Sequence, residues 1–282
     1  MAMLLSRKER MLAAARALDA LACPVCGLPL GEAEGRFCCA AGHSWDMSRR
    51  GTLSFLSAPR EDFYSEALFA ARSRVFSAGC YEPVADAIEA LLPREQPQRL
   101  LDAGCGEGWY LARLLDRHPG WTGAGVDISS DAIRQASRQP AAALWCVADL
   151  RRLPFRDGAF TAVLDILTPA SYDSFRRVLA PEGLLIKVYP GRDYLREIRE
   201  ARGLPPYGEG QVEAWLLEHT QAAAVRHVHA VCPVDAALWA AFVAMTPLNA
   251  DLSPEALAHL AASPRPAVTV DLHVAACRFA PG

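Results

Sequence analysis

The chain has 282 residues, 52% hydrophobic and 22% charged, which is typical of a globular protein with one large or two smaller domains. The formal net charge of −3 excludes a protein that is basic overall, so any binding of nucleic acid would need a local basic patch. No apolar run is long enough to span a membrane, and the odd number of cysteines, nine, argues against the paired framework of a secreted scaffold.

The N-terminal segment predicts an amphipathic helix. Its charged residues 7–10 follow an apolar opening, whereas a secretory signal peptide carries its charges before its apolar core. We therefore expect a cytoplasmic protein that begins with a helical extension over residues 1–22. The segments after it predict a zinc-binding domain over residues 23–57 and a larger α/β domain with a helical lead-in over residues 58–282.

Four of the nine cysteines and one of the seven histidines lie in one short stretch after this helix. Cys23 and Cys26 stand two residues apart, Cys39 and His43 stand three apart, and twelve residues separate the pairs. Two short-spaced pairs that flank a turn of this length can close a tetrahedral zinc site. Cys38 competes for the third position, and Cys39 is preferred because its spacing to His43 is tighter. With four protein ligands, the predicted site is structural.

The remaining chain alternates helical and strand patterns. Apolar residues at helical spacing predict two helices broken near Gly79. From Arg99 onward, five apolar segments alternate with helical stretches, which is the pattern of a parallel α/β sheet. The predicted strands are "RLLDAGCG", "TGAGVDIS", "ALWCVADL", "FTAVLDIL" and "GLLIKVYP". A helix in "EGQVEAWLLEHTQAA", a strand "AVRHVHAVCP", a helix over Pro233–Met245 and a closing strand "AVTVDLHVAACRFA" follow.

A glycine-rich turn joins the first of these strands to a helix, in "LLDAGCGEGWYLARLL". Gly104, Gly106 and Gly108 allow the backbone to approach a ligand, and the helix that follows offers unpaired N–H groups. A glycine motif alone is also compatible with dinucleotide binding.

Acidic residues at three successive strand ends favour S-adenosylmethionine instead. Asp102 precedes the first glycine by two positions, where its carboxylate can reach the ammonium group of the cofactor. Asp127 can accept hydrogen bonds from the ribose hydroxyls, and Asp149 can meet the adenine amino group. Aspartates that only cap helices or order loops are the alternative. The predicted cofactor site also includes three apolar residues at strand ends: Ile128, Leu150 and Leu167.

The segments "LDAGCGEG", "GVDIS", "ADLRRLPF" and "VLDILTP" together resemble the class I methyltransferases over residues 99–190. With the cysteine cluster, they resemble one family closely, the RlmA-type 23S rRNA guanine-N1-methyltransferases. "GHSWDMSRRGTLSFL", "EALFAARSRVFSAGCYEPV" and "MTPL" are similar to segments of that family in the same order. The resemblance implies a class I (Rossmann-like) fold, S-adenosylmethionine and structural zinc as cofactors, a 23S rRNA hairpin as substrate, and a homodimer.

Methylation of guanine at N1 requires loss of the N1 proton, so an acceptor near the target is useful. Asp165, at the end of the fourth predicted strand, is the candidate base or base-orienting group; a carboxylate that only orders the loop is the alternative. Residues 1–60 carry eight arginines and lysines against five acidic residues. Arg36, Arg49 and Arg50 lie on or beside the cysteine cluster and are candidate phosphate contacts.

Two other functions remain open at this stage. The second hypothesis is a small-molecule biosynthetic methyltransferase that retains the zinc-binding domain. It fits the small net charge and the short acidic segment "SAPREDFYSE". At this point in the chain the resembled family has a longer, basic linker. A zinc-containing RNA-binding protein with vestigial methylation is the third hypothesis. The intact "DAGCGEG" and Asp127 argue against it.

Overall fold

The computed structural model of the chain describes residues 5–56, 66–208 and 210–280. Its α-helices are α1 (Arg7–Leu18), α2 (Glu66–Ser77), α3 (Glu82–Leu91), α4 (Trp109–Arg117), α5 (Ser130–Ala136), α6 (Tyr172–Val178), α7 (Arg196–Ala201), α8 (Gln211–His219), α9 (Ala236–Met245) and α10 (Pro254–Ala261). Its strands are β1 (Gly31–Ala33), β2 (Arg36–Cys38), β3 (Ser44–Asp46), β4 (Leu53–Ser54), β5 (Arg99–Ala103), β6 (Thr122–Asp127), β7 (Leu144–Val147), β8 (Phe160–Ile166), β9 (Leu179–Pro190), β10 (Gln221–Pro233) and β11 (Ala267–Arg278).

An eight-stranded sheet forms the centre of the molecule, in the order β10-β11-β9-β8-β5-β6-β7-β4. The strands from β9 to β4 run parallel to their neighbours, and β11 is antiparallel to both β9 and β10. The five predicted strands are β5 to β9, so the prediction of a parallel α/β sheet is confirmed. β5 lies between β6 and β8, and this reversal of strand order opens a crevice at the carboxyl ends of β5 and β8.

The central strands are mainly apolar because helices cover both faces of the sheet. Leu100, Leu101 and Ala103 of β5 are fully buried, as are Val163 and Leu164 of β8. Burial on both faces removes the alternation of polar and apolar residues. This is why β5 and β8 appear in the sequence as apolar runs, each interrupted by one aspartate near its carboxyl end.

The segment with the cysteine cluster forms a small antiparallel sheet in the order β1-β2-β3. The chain then enters β4, which pairs with the edge strand β7 of the large sheet. Met11 and Leu18 of α1 belong to the same buried core as Phe37 of the small sheet and Leu53 of β4. The predicted N-terminal helix therefore packs on the α/β core, and the predicted boundary at residues 57 and 58 lies outside the described residues.

Helix α1 is shorter than the predicted helix over residues 1–22 because polar groups define both ends. Ser6 Oγ accepts the N–H of Glu9, and the Glu9 carboxylate accepts the N–H of Ser6, which forms a capping box. Asp19 adopts a left-handed backbone with φ of 42° and ends the helix. The predicted break near Gly79 is confirmed by the turn between α2 and α3.

Two features of the fold have no counterpart in the predictions. Helix α10 packs on α9, and Cys80 in the turn between α2 and α3 forms a disulfide with Cys232 of β10, 152 residues away. The other seven cysteines are free, so a single bridge, rather than a framework, is present. Among the described residues, no helix is both long and apolar enough to cross a membrane.

Candidate active site and metal centre

Three cysteines and one histidine of the N-terminal segment come together in space. The ligand atoms of Cys23, Cys26, Cys39 and His43 all lie within 4.8 Å of one another. His43 Nδ1 lies 3.6 Å from Cys23 Sγ and 3.4 Å from Cys39 Sγ, and Cys26 Sγ lies 3.7 Å from Cys39 Sγ. Ligand atoms about 2.0–2.3 Å from a tetrahedral zinc ion stand roughly 3.4–3.8 Å apart, so the cluster fits zinc.

Tight turns place these ligands. The N–H of Gly27 donates to the carbonyl of Cys23 at 2.8 Å, and the N–H of Gly42 donates to the carbonyl of Cys39 at 2.9 Å. Each ligand pair therefore lies on its own turn. Cys38 is exposed at the end of β2 and is outside the cluster, whereas Cys39 is buried within it. Between these two candidates for the third position, the structure places Cys39 in the cluster.

The crevice at the carboxyl ends of the parallel strands widens into a cavity of about 930 Å³. Most of the residues predicted to bind the cofactor line this cavity: Asp102, Gly104, Gly106, Asp127, Ile128, Asp149, Leu150 and Leu167. Gly108 does not line it. A Cβ atom at Gly108 would lie 2.4 Å from the buried ring of Trp145, so this glycine allows close packing of the turn on β7. The expected contact of Gly108 with the cofactor is not seen in the cavity wall.

Asp102 provides an acidic group at the floor of the cavity. Its carboxyl is nearly fully buried, and Oδ2 has no hydrogen-bond partner within the described chain. Burial, and after it the nearby Asp127 carboxylate, raises the pKa of Asp102 to about 8. A cationic ligand group placed here would offset both effects. The side chain therefore fits the predicted contact with an ammonium group.

Asp127 joins the glycine-rich turn to the end of β6. Its Oδ2 accepts the N–H of Gly106 and its Oδ1 accepts the N–H of Ser129, each at 2.9 Å. Each carboxylate oxygen has two acceptor sites, so both can also accept hydroxyl donors from a ligand in the cavity. Asp149 accepts the N–H of Arg151 at 2.9 Å and forms an ion pair with its guanidinium at 2.8 Å. Asp149 thus orders its loop and also lines the cavity.

Backbone geometry places Leu167 and Thr168 against the glycine-rich turn. Leu167 lies in the left-handed region with φ of 54°. A Cβ atom at Gly104, whose own φ is 76°, would lie 2.7 Å from Thr168 Oγ1. Only glycine permits this approach of the loop after β8 to the loop after β5. The two loops form one continuous wall of the cavity.

Arg72 of α2 lines the cavity and was not predicted. Its guanidinium lies 3.3 Å from a carboxylate oxygen of the buried Glu107 and close to Gly106. Burial raises the pKa of Glu107, and the nearby guanidinium acts in the opposite direction, as it does at Asp102. The helix that carries Arg72 also carries Arg74, and only the packing of α2 over the glycine-rich turn distinguishes them.

Aromatic residues form a large part of the cavity wall, here called the aromatic wall, and they include Phe69, Phe76, Tyr81, Tyr110, Tyr194 and Tyr207. The hydroxyls of Tyr81 and Tyr194 are 2.8 Å apart and buried. These residues come from α2, α4, the N-cap of α3, the loop after β9 and the segment between α7 and α8. Because they are spread over more than 130 positions, no local pattern indicates this wall.

Asp165, the candidate base, does not line the cavity. It is fully buried, and its Oδ2 accepts a hydrogen bond of 2.8 Å from Lys187 Nζ. Burial raises the pKa of Asp165 to about 6, although the Lys187 ammonium acts in the opposite direction. Lys187 does line the cavity, and it also donates to the carbonyl of Thr168 at 2.6 Å. This geometry favours an orienting role for Asp165 over direct contact with a substrate.

Lys187 was missed by the sequence analysis, although the sequence carries a signal for it. It is the lone charged residue in the apolar run "GLLIKVYP" of a strand predicted to be buried. A lysine is almost never buried without a partner. A search for an acidic residue at the same level of the neighbouring strand would have found Asp165.

The sheet order, the glycine-rich turn and the acidic strand ends define a class I, S-adenosylmethionine-dependent methyltransferase that carries an N-terminal zinc ribbon. Two family models match the chain. The model described as "RlmA, N-terminal" matches residues 21–58, and the model described as "Methyltransferase domain" matches residues 100–183. S-adenosylmethionine and structural zinc are the cofactors of this chain.

Two relatives align over most of the chain. A 23S rRNA (guanine(748)-N(1))-methyltransferase of Streptomyces fradiae is 31% identical, over 84% of this chain and 88% of that one. A Bacillus subtilis protein provisionally named a 23S rRNA (guanine-N(1)-)-methyltransferase is 39% identical, over 63% of this chain and 67% of that one. The chain belongs to the family of 23S rRNA (guanine-N1)-methyltransferases, as the sequence resemblance indicated.

The chain also has a weak likeness to a solved structure. A methyltransferase of Geobacter sulfurreducens in complex with S-adenosyl-L-homocysteine is 16% identical and matches 73% of this chain and 98% of that one, with a TM-score of 0.48.

Proposed function

We propose that this chain transfers a methyl group from S-adenosylmethionine to N1 of a guanine in a 23S rRNA hairpin. The observation that carries the proposal is the alignment of 84% of the chain with an enzyme named for that reaction. A small-molecule methyltransferase is not favoured, because the relatives that align over most of the chain are named for rRNA.

Each part of the cofactor has a residue in the cavity that suits it. We assign Asp102 to the ammonium group and Arg72 to the carboxylate of the methionine moiety. Asp127 suits the ribose hydroxyls, while Ile128, Asp149 and Leu150 suit the adenine. When bound, the cofactor supplies a methyl group on a sulfonium sulfur, which becomes a neutral thioether as the N1–C bond forms and the S–C bond breaks.

The cavity volume of about 930 Å³ is large enough for the cofactor together with one purine base. A guanine that is stacked in a hairpin must leave its stack to enter such a site. The aromatic wall offers ring faces on which a base can stack. Alignment of the base with the methyl group then supplies much of the catalysis, since the transfer is an in-line displacement.

The metal ligands in this proposal are Cys23, Cys26, Cys39 and His43. A zinc ion held by all four has no open position for a substrate, so its role is to fold the ribbon. The ring centroids of Trp45 and Phe55 are 5.5 Å apart. We therefore assign Trp45 a role in the core of the ribbon and not in stacking on RNA.

Some basic residues of the N-terminal segment are paired with acidic side chains, so fewer of them are candidates for RNA contact than the charge count of the sequence indicates. Arg36 pairs with Asp46 at 2.8 Å, and Arg16 pairs with Glu32 at 2.7 Å. Arg49 and Arg50 are exposed on the turn before β4, and within the described residues neither has an acidic partner. We propose that these two arginines contact RNA phosphates. The homodimer, the cytoplasmic location and the three-domain division stay predictions.

The test uses the zinc-loaded protein and 23S rRNA from a strain that lacks the gene. Isotope-labelled S-adenosylmethionine should label the rRNA, and mass mapping should locate one methylated guanine at N1 that is unmodified in the deletion strain. Labelling of a small metabolite with every 23S guanine left unmodified would reject the proposal.

A further inference from the structure

Lys187 lies in the cavity wall at the level of the glycine-rich turn, and its partner Asp165 is buried behind it. Ala103 on β5, Asp165 on β8 and Lys187 on β9 are cross-strand neighbours in one row of the sheet. Two strand spacings separate Lys187 from Ala103, about 10 Å. Because the glycine-rich turn begins directly after Ala103, Lys187 faces the part of the cavity beside the predicted cofactor.

Lys187 presents a fixed hydrogen-bond donor there. Its side chain is 7% exposed and its ammonium donates to Asp165 at 2.8 Å and to the Thr168 carbonyl at 2.6 Å. An ammonium group has three donors. No acceptor within the described part of the chain takes the third, and Lys187 lines the cavity. The fully buried Asp165 thus anchors a cation whose remaining donor is available to a ligand.

We propose that Lys187 recognises the target base by donating a hydrogen bond to the carbonyl oxygen at C6 of guanine. This inference rests on the proposed function and specifies the side chain that selects the base. An ammonium donor pairs with the carbonyl oxygen of guanine and is repelled by the amino group that adenine carries at the same position. Asp165 is a positioning residue, because it acts on the base only through Lys187.

The same hydrogen bond assists the reaction. When the N1 proton leaves to water, negative charge is shared between N1 and the oxygen at C6, and a cationic donor stabilises that charge. Hydrogen bonds to charged groups are the stronger class, and the loss of one corresponds to about a 10- to 100-fold effect. Lys187 therefore contributes both to the choice of base and to the acidity of N1–H.

The experiment combines two changes in the protein with one change in the RNA. The double variant Lys187→Met with Asp165→Leu removes both charges together, because removal of one alone leaves an unpaired buried charge that destabilises the fold. The RNA is the target hairpin with either guanine or 2-aminopurine, which lacks the oxygen at C6, at the methylated position. Dissociation constants are measured for all four combinations in the presence of S-adenosyl-L-homocysteine, with unchanged cofactor binding as the test of folding.

We expect the unmodified protein to prefer guanine over 2-aminopurine by about 10- to 100-fold and the double variant to lose that preference. The kcat of the variant on the guanine hairpin should also fall, and the rising limb of its pH profile, which reports loss of the N1 proton, should move to higher pH. If Lys187 had only a structural role, the double variant would bind both RNAs more weakly by the same factor, and its pH profile would not shift. That result would overturn the proposal. If the double variant does not bind cofactor, Lys187→Met with Asp165→Asn, which is also uncharged and lacks a donor at position 187, is measured in its place against the same criteria.

Methylation of the guanine hairpin by the unmodified protein separates this inference from the proposed function. Absence of methylation would reject the rRNA substrate itself. Methylation combined with an unchanged base preference in the variant would reject only the role of Lys187.

Discussion

The metal cluster and the cavity are built on different length scales. All four residues of the cluster lie within residues 23–43, and two tight turns bring them together. The cavity draws on residues from Phe69 to Pro247 and depends on the order of the strands in the sheet. The residues of a local site can be identified from their spacing in the sequence. For a site at the ends of several strands, only the residues that follow predicted strands can be identified in this way.

Loss of the metal should have the largest effect, because the free energy of zinc binding is part of the folding free energy of a small ribbon. We expect one zinc per chain and expect Cys23→Ser to lose it, with unfolding of β1 to β3. Cofactor binding should stay measurable, since the cavity lies in the other region. Metal analysis and circular dichroism check this, with Cys38→Ser as the matched control that keeps its zinc. A full equivalent of zinc in Cys23→Ser would refute the ligand set.

Removal of the Asp127 carboxylate tests the cofactor half of the cavity. Asp127→Ala should weaken S-adenosylmethionine binding by about 1–3 kcal/mol, because ribose hydrogen bonds and the two bonds that order the turn are lost. Calorimetry measures the affinity, and zinc content should be unchanged. Asp116→Ala, an exposed position outside the cavity wall, is the control. Equal affinities for the two variants would place the cofactor elsewhere.

The raised pKa of Asp102, about 8, predicts a pH dependence of cofactor binding. The ligand ammonium pairs with the ionised carboxylate, so below pH 8 binding must release a proton. Affinity should therefore rise between pH 6 and 7.5, by up to about tenfold per unit, below the range in which an α-amino group titrates. Calorimetry in buffers of different ionisation enthalpy detects the released proton. Asp102→Asn should bind more weakly and lose both the pH dependence and the proton release.

The raised pKa of Asp102 also affects the stability of the protein in the absence of cofactor. The folded-state pKa of Asp102 lies above its unfolded value of 3.8, so its contribution to stability is fully present below pH 3.8. That contribution is lost as the pH rises toward 8, because the unfolded chain gains free energy by ionising Asp102 while the folded state keeps the carboxyl protonated. The free energy of unfolding should fall less steeply over this interval in Asp102→Asn, and denaturant titrations at several pH values measure it.

The smallest expected effect concerns the surface of the ribbon. Arg49→Gln with Arg50→Gln should weaken binding of the rRNA hairpin and reduce the slope of log K against log salt by about 1.4–1.8, one phosphate contact for each arginine. Cofactor affinity should not change. Arg36→Gln is the matched control, because Asp46 already neutralises Arg36. If the slope changed equally in the two variants, the arginines would act through the overall charge of the surface and not through individual phosphate contacts.

The sequence by itself determined the metal ligands' spacing, the five parallel strands and the acidic residues at their ends. Local spacing and burial on both faces of a sheet leave direct marks on a chain, so these features could be predicted. Cys39 rather than Cys38, the packing role of Gly108 and the edge pairing of β4 with β7 needed the folded chain. So did Arg72, the aromatic wall and the placement of Lys187 between Asp165 and the cavity. These depend on contacts between residues far apart in sequence, and such contacts exist only once the strands have taken their order and the helices have packed on them.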